Sequence, residues 1–414
     1  MRPPRPTALA ALMAALLLGL TCFAFGGGPM DYRVLERHYG PDIRPNDWQP
    51  RDARLVFAGG VLQVFAEGSG AVSRNDCELP GGGDVRISVS LNFERVGPTG
   101  RLALQFNCPR KGDPGFQVMF GEGKTRVMHG AKVVFEGDGP KTDRGRVHTV
   151  ALTTLGEEYA IEVNGEQLVS GRMAPPYTAN EGRLRLQLQD VDIRLISCEE
   201  QFIQRDVAFP QWRREKPLYT ETFGPESLRL NWVCNGAEPG VTDDAFTFNP
   251  MSVCVLKQRF DGPLAMDCVA TPAPTVEYSA GVTDAIFIWM LDRPDGDLLE
   301  YMAGLPDASL SHYMPLPFYW VDFGGTNNQT TRLRRNPRRR LMRQFNDRAR
   351  LLERDRTYHI TLVQSGNGVE FWVDGKMWVQ AYDDHPLTGG HVGLRSYVAG
   401  LTVSELRLWR IGNG

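Results

Sequence analysis

Residues 146–169 read RVHTVALTTLGEEYAIEVNGEQLV, and residues 356–379 read RTYHITLVQSGNGVEFWVDGKMWV. The two stretches align without a gap at an offset of 356 − 146 = 210 residues. Arg146/Arg356, Leu152/Leu362, Gly156/Gly366, Val163/Val373, Gly165/Gly375 and Val169/Val379 are identical. Each copy reads as strand, glycine turn, strand, two-residue turn and strand. Asn164-Gly165 and Asp374-Gly375 are type I′ hairpin signals, because both central residues of that turn need φ > 0. A further glycine and a final strand follow each copy, around Leu184–Leu188 and Val392–Arg395. Two sandwiches of similar plan are expected, covering residues 31–200 and 217–412, with a linker over 201–216 that contains Pro210.

The rest of the chain fits that reading. Period-two apolar runs occur at Leu55–Phe57, Val61–Phe65, Asp84–Leu91, Leu102–Phe106 and Phe116–Phe120, separated by glycines. No long stretch shows a 3.6-residue period, so the fold class is all-β. The second half opens at Leu218 and includes an apolar strand, Thr283–Met290. A long connection from Asp292 to Leu316 is expected to lie over one face and carry function. Residues 26–40 read as a loose lead-in.

Composition narrows the class. Hydrophobic residues at 42% and charged residues at 23% describe a globular protein, and 44 Gly and 28 Pro supply many turns. A formal net charge of −3 gives no global field for nucleic acid. Arg2, Arg5 and the apolar run Ala8–Phe25 read as a secretory signal over residues 1–26, with a membrane anchor or a lipidated Cys22 as alternatives. The protein is therefore expected in the periplasm or outside the cell, with no stable membrane insertion after cleavage. Six cysteines would remain; they allow 15 pairings, among which the sequence does not choose.

The functional reading centres on residues 312–335, HYMPLPFYWVDFGGTNNQTTRLRR. Ring-bearing residues are followed by a double glycine, then amides and hydroxyls, then arginines. Aromatic faces stack on sugar C–H faces, while amides and bidentate guanidinia answer hydroxyls and carboxylates. A glycine turn on a solvated edge is the plainer alternative. Between Arg332 and Arg356 stand eleven arginines against three acids, Asp347, Glu353 and Asp355. That run suits an acidic polysaccharide, or else a solvated, partly helical insertion over 338–352.

The block from Tyr319 to Arg335, with Gly368–Gly375 and Asp383–Arg395, resembles the signature of a bacterial concanavalin A-like lectin/glucanase family. Its members are jelly-roll proteins of polysaccharide utilisation, largely uncharacterised and found beside pectin and rhamnogalacturonan degradation genes. The resemblance covers residues 218–411 and implies two tandem concanavalin-like β-sandwiches. The second of these rests on the resemblance, which also implies a glycan groove there; the first, residues 31–200, is similar to the same class only loosely, lacks the glycine–amide–arginine block and reads as a partner or carbohydrate-binding module. Where the family carries an Arg-Gly turn before the motif, this chain has Asp307–His312.

Chemistry stays open at this point. The resemblance and the motif together point to polysaccharide degradation by a lyase or glycoside hydrolase, with non-catalytic glycan binding as the alternative. A hydrolase would gather carboxylates from separate strands, with Asp322, Asp284 and Glu300 as candidates. A lyase would pair a guanidinium or amide with a Tyr or His base. The residues assigned to chemistry are His312, Tyr319, Asp322 and Arg332. Those assigned to holding the poly- or oligosaccharide are Trp289, Tyr313, Trp320, Asn327, Asn328, Thr330, Arg334 and Arg335. No cofactor is expected beyond a structural calcium to which Asp383 and Asp384 would contribute. No phosphate loop, dinucleotide fingerprint or Ser/His/Asp arrangement is readable, and nucleic acid is not an expected partner.

Overall fold

The computed structural model describes residues 32–39, 48–66, 68–74, 85–108, 115–138, 145–155, 158–172, 183–205, 209–242, 244–274, 281–337, 340–345 and 347–413. The expected export signal lies outside them, as does Cys77.

Two antiparallel sandwiches share one strand order. In the first, a back sheet carries the repeat strands Glu166–Arg172, Glu158–Val163 and Val147–Leu155. These are followed by the first half of Val85–Cys108 and the second half of Arg183–Arg205. Both long strands then cross into a front sheet, ordered Lys132–Asp138, Lys124–His129, Phe116–Gly121, 101–108, 183–189, Ser69–Arg74, Trp48–Arg51. In the second sandwich the back sheet runs Lys376–Tyr382, Gly368–Val373, Tyr358–Ser365, Leu264–Ala273, Gly400–Asn413. Its front sheet runs Arg340–Phe345, Thr330–Asn336, Phe318–Gly324, Ala285–Leu291, Gly389–Ser396, Ser252–Leu256, Trp232–Gly236.

The repeat holds at atomic detail. Asn164 and Gly165 have φ of 54° and 83°, Asp374 and Gly375 of 51° and 73°. In each turn the first residue's N–H donates to a carbonyl and its side-chain oxygen accepts from the same residue's N–H. That partner is Thr149 in one copy and His359 in the other. Each sandwich has its own core: one built around Leu104, Phe106, Val118 and Leu186, the other around Phe287, Val321, Phe371 and Leu394.

Three boundaries differ from expectation. Tyr32–Tyr39 is a strand paired with Arg183–Arg205, not a loose lead-in. Pairing in the first sandwich runs to Arg205 and resumes in the second at Trp212, so the join is shorter than 201–216. The arginine run is not helical: Arg340–Phe345 is a buried front-sheet strand, and Arg348–Arg350 a single 3-10 turn. Its buried Arg343 donates to the Ile203 carbonyl at 3.2 Å, tying that sheet to the last strand of the first sandwich. Cys234 and Cys254, directly opposite on neighbouring strands, form a disulfide.

The long connection lies over the front sheet of the second sandwich, as expected. It contains two short helices, Leu298–Ala303 and Leu310–Tyr313. Asp297 caps the first by accepting from the N–H groups of Leu299 and Glu300 at 2.7 and 3.1 Å. Leu298, Met302, Tyr313 and Leu316 pack on Val253, Val255, Ile288 and Trp320. Each such side chain removed from water contributes roughly 1.5–3 kcal/mol, enough to hold a connection with so little regular structure.

Candidate functional site

Alternation sets which side chains share a face of the front sheet. Tyr319, Val321 and Phe323 point between the sheets into the core, whereas Phe318, Trp320 and Asp322 point outward. Cross-strand register then assembles one outward row, Arg395–Ile286–Asp322–Arg332–Gln344. Beside it lies a second, Gly393–Ile288–Trp320–Arg334–Leu341. The sheet, not the linear motif, brings Arg395 to Asp322.

In the first row Arg332 donates to Asp322 Oδ2 through Nε at 3.1 Å and Nη2 at 2.5 Å. Both side chains are buried. Gly325 has no room for a Cβ, which would stand 2.3 Å from Asp322 Oδ2; the second glycine of the pair is needed for that close approach. Asp284, at the mouth of the neighbouring strand, adds a second carboxyl. Thr283 Oγ1 lies 2.8 Å from both Asp284 Oδ2 and the Gly324 carbonyl, but has one hydrogen to give. Asp322 Oδ1 is buried and receives no N–H or hydroxyl donor. The Gly324 carbonyl also accepts from the Asp284 N–H at 3.1 Å. Burial, then the neighbouring Asp322, push the Asp284 carboxyl up to about 7, against Thr283 and Arg332. Burial pulls the Arg395 guanidinium down, and Asp284 and Asp322 oppose that.

The turn beneath this cluster is strained. Thr326, Asn327 and Asn328 hold φ of 55°, 57° and 59° in succession. Asn tolerates the left-handed region; a β-branched Thr does not. Asn328 fastens the turn by hydrogen bonds to both the carbonyl and the N–H of Leu352, at 2.8 and 2.9 Å.

The predicted site residues therefore divide. Asp322, Arg332, Arg334, Trp320 and Tyr313 share the outer face. Trp320 is buried beneath the connection, however, and Tyr313 on the connection's underside, with the Arg334 guanidinium 5.7 Å over the Trp320 ring and the Tyr313 hydroxyl on Asn235. Neither ring presents a face to a sugar. Trp289 and Tyr319 lie between the sheets, 5.6 Å apart, which corrects their assignment to stacking and proton transfer. Tyr319 donates to Asp383 at 2.6 Å, and burial pushes its hydroxyl far above the ordinary phenol range. Arg335 also serves Asp383, 2.7 Å away. His312 sits on the connection's surface against Asp307 at 2.9 Å. Asn327 is an exposed turn residue, and Thr330 closes the turn onto the Gly325 carbonyl. Asp383 is fully buried and committed to Tyr319, Arg335 and Arg340. Among the described residues, no group of three His, Cys, Asp or Glu stands together for a metal ion.

Arg395 and the half-exposed Tyr397, whose ring lies 5.0 Å from that guanidinium, escaped the sequence reading. Arg395 had a signal. It stands 395 − 185 = 210 residues after Arg185, the offset of the repeat.

Several solved structures are similar to part of the chain. A protein of unknown function with a galectin-like fold from Bacillus subtilis is 13% identical, at a TM-score of 0.42 over 49% of this chain and 100% of that one. The carbohydrate binding module CBM66 from Bacillus subtilis is 14% identical, at 0.31 over 37% and 95%. The exoplasmic/lumenal domain of VIP36 in its Ca2+/Man-bound form is 9% identical, at 0.30 over 39% and 90%. No curated protein matches the chain. Residues 252–406, most of the second sandwich, match a family described as a domain of unknown function, DUF6250.

Proposed function

We propose that this is an exported carbohydrate-binding protein of polysaccharide metabolism, with the glycan meeting the second sandwich at Asp284 and Tyr397. These two form the accessible edge of the charged row. The observation that carries the reading is the convergence of Asp322, Arg332 and Arg395 on one outward row, with Asp284 beside it, above a strained turn. Buried charges cost free energy that packed apolar residues would not, and perturbed acids and left-handed non-glycine residues gather at functional sites. Carboxyl and guanidinium groups together give both donors and acceptors for sugar hydroxyls. The Cys234–Cys254 disulfide suits an oxidising compartment and supports export.

Direct hydrolysis fits less well. The Asp284 and Asp322 carboxyls are in hydrogen-bond contact, whereas a glycosidase separates its pair by about 5–5.5 or 6.5–9.5 Å. One feature favours a catalytic second reading: burial and the neighbouring Asp322 push the Asp284 carboxyl up to about 7, where a general acid–base works best. It would then exchange protons with an acidic glycan in an elimination. Titration of the full chain with acidic and neutral oligosaccharides, alongside assays for unsaturated products and new reducing ends, separates the two. Binding without turnover, lost in Asp322→Asn, is the expected result. A parent chain that retains no glycan, or an Asp322→Asn chain that binds like the parent, rules the site out.

A further inference from the structure

The first sandwich carries a groove of about 660 Å³ across its front sheet. Register explains its shape. The row Arg51–Ala71–Gln187–Ala103–Met119–Arg126 crosses six strands, about 24 Å at the usual strand spacing. Ala71 and Ala103 sink the floor in the middle, and longer polar side chains rise at either end. The exposed amides of Gln187 and Gln189 stand along it. Among the described residues that line it no exposed ring is present for a base to stack on, so the lining favours hydroxyl-bearing chains over single-stranded nucleic acid.

Charge fixes the class further. Five cations line the groove. Arg51 lies 3.9 Å from Asp52, Arg101 pairs with Glu122, and Lys124 and Arg126 lean out to Glu136 at 3.4 and 2.7 Å. Arg185, half-buried at the centre, has no carboxylate partner among the described residues. Its repeat counterpart is Arg395, which faces Asp284 and Asp322. One sandwich thus supplies carboxylates to this arginine from its own chain, and among the described residues the other supplies none.

We infer that the groove of the first sandwich binds an extended acidic oligosaccharide, with Arg185 taking a uronate carboxylate. A planar guanidinium matches a carboxylate through two parallel N–H···O bonds, and the flanking glutamines answer the neighbouring hydroxyls. This site is separate from the one proposed on the second sandwich. The test is calorimetric titration of the full chain with oligogalacturonate and with neutral oligogalactose of equal length. Oligogalacturonate should bind better. Arg185→Gln should weaken it by about tenfold or more, the scale of one charge-assisted pair, and Gln187→Ala should weaken both ligands by less. Equal affinity for the neutral oligomer, or an Arg185→Gln chain that titrates like the parent, overturns the inference. Asp322→Asn, titrated in parallel, reports on the second sandwich separately, so failure of one site is not read as failure of the other.

Discussion

The two front sheets have the same strand order and opposite fates. In the first sandwich the loop joining strands 101–108 and Phe116–Gly121 is short, and among the described residues the outward face is an open groove. In the second, the corresponding loop has grown into residues 292–317, whose apolar side chains pack on that face. What remains is packed with mutually paired charges. The hairpin next door differs in the same sense. Gly121–Lys124 turns through two residues, Glu122 and Gly123, with φ of 56° and 73°. Its counterpart spends Gly325–Gln329 on a left-handed turn that cradles Asp322. One topology can therefore offer a broad trough or a small charged site, and the choice lies in the loops, not the strands.

The comparison breaks most sharply at its arginines. Arg332→Ala should strip Asp322 of its partner and leave a charge buried, at about 3–5 kcal/mol to the second sandwich. Arg185→Ala in the open groove should stay within about 0.5 kcal/mol. Denaturant titrations measure both, and equal costs would show that the two faces are not differently built. Next in size, Met302→Ala removes a fully buried side chain from beneath the connection. A loss of about 3 kcal/mol is expected, whereas Met119→Ala, half-buried on the first sheet, should cost well under half of that. If Met302→Ala proves mild, the connection is a lid resting on the sheet, not a packed part of it.

Much of this was legible in the chain. The 210-residue repeat gave two sandwiches because identical glycines marked identical hairpins, and turn chemistry is local. The ligand face was not legible in the same way. Reading 312–335 as one cluster mixed both parities of a strand. Tyr319 shares its side with Val321 and Phe323, so it belonged to the core wherever the strand lay, and alternation alone would have removed it. Trp320 and Tyr313 were lost for another reason: where 292–317 folds back, covering Trp320 and turning Tyr313 inward, is a tertiary fact. Asp322 and Arg332 survived because residues flanking a tight turn stand opposite each other. Asp284 and Arg395 come from separate strands, and only register joins them to the row.

Protonation offers a milder probe. Asp284 binds its proton more tightly folded than unfolded, so the stability it gives is complete below about pH 4 and is lost as pH rises through about 7. Asp284→Asn mimics the protonated side chain and should remove that loss. At pH 8 the variant should exceed the parent by about 2 kcal/mol, after allowance for partial exposure, and at pH 4 the two should coincide. Parallel stability–pH curves would mean that the pair shares no proton.

Thr326→Gly is the smallest change and the most pointed. Relief of a left-handed β-branched residue is worth about 1–2 kcal/mol, and the extra freedom of glycine in the unfolded chain returns about 0.4–1 of it. A net gain of about 0.5–1 kcal/mol is expected. Thr326 is exposed, so the gain comes from the backbone and not from altered packing. If the turn's left-handed course exists to hold the Asp322 carboxylate over Gly325, a looser glycine should widen that geometry. Glycan affinity at the second sandwich would then fall while stability rises, a trade common at strained sites. A variant that gains stability and keeps its affinity would show the turn to be only a hairpin, no more specialised than Glu122-Gly123 in the first sandwich.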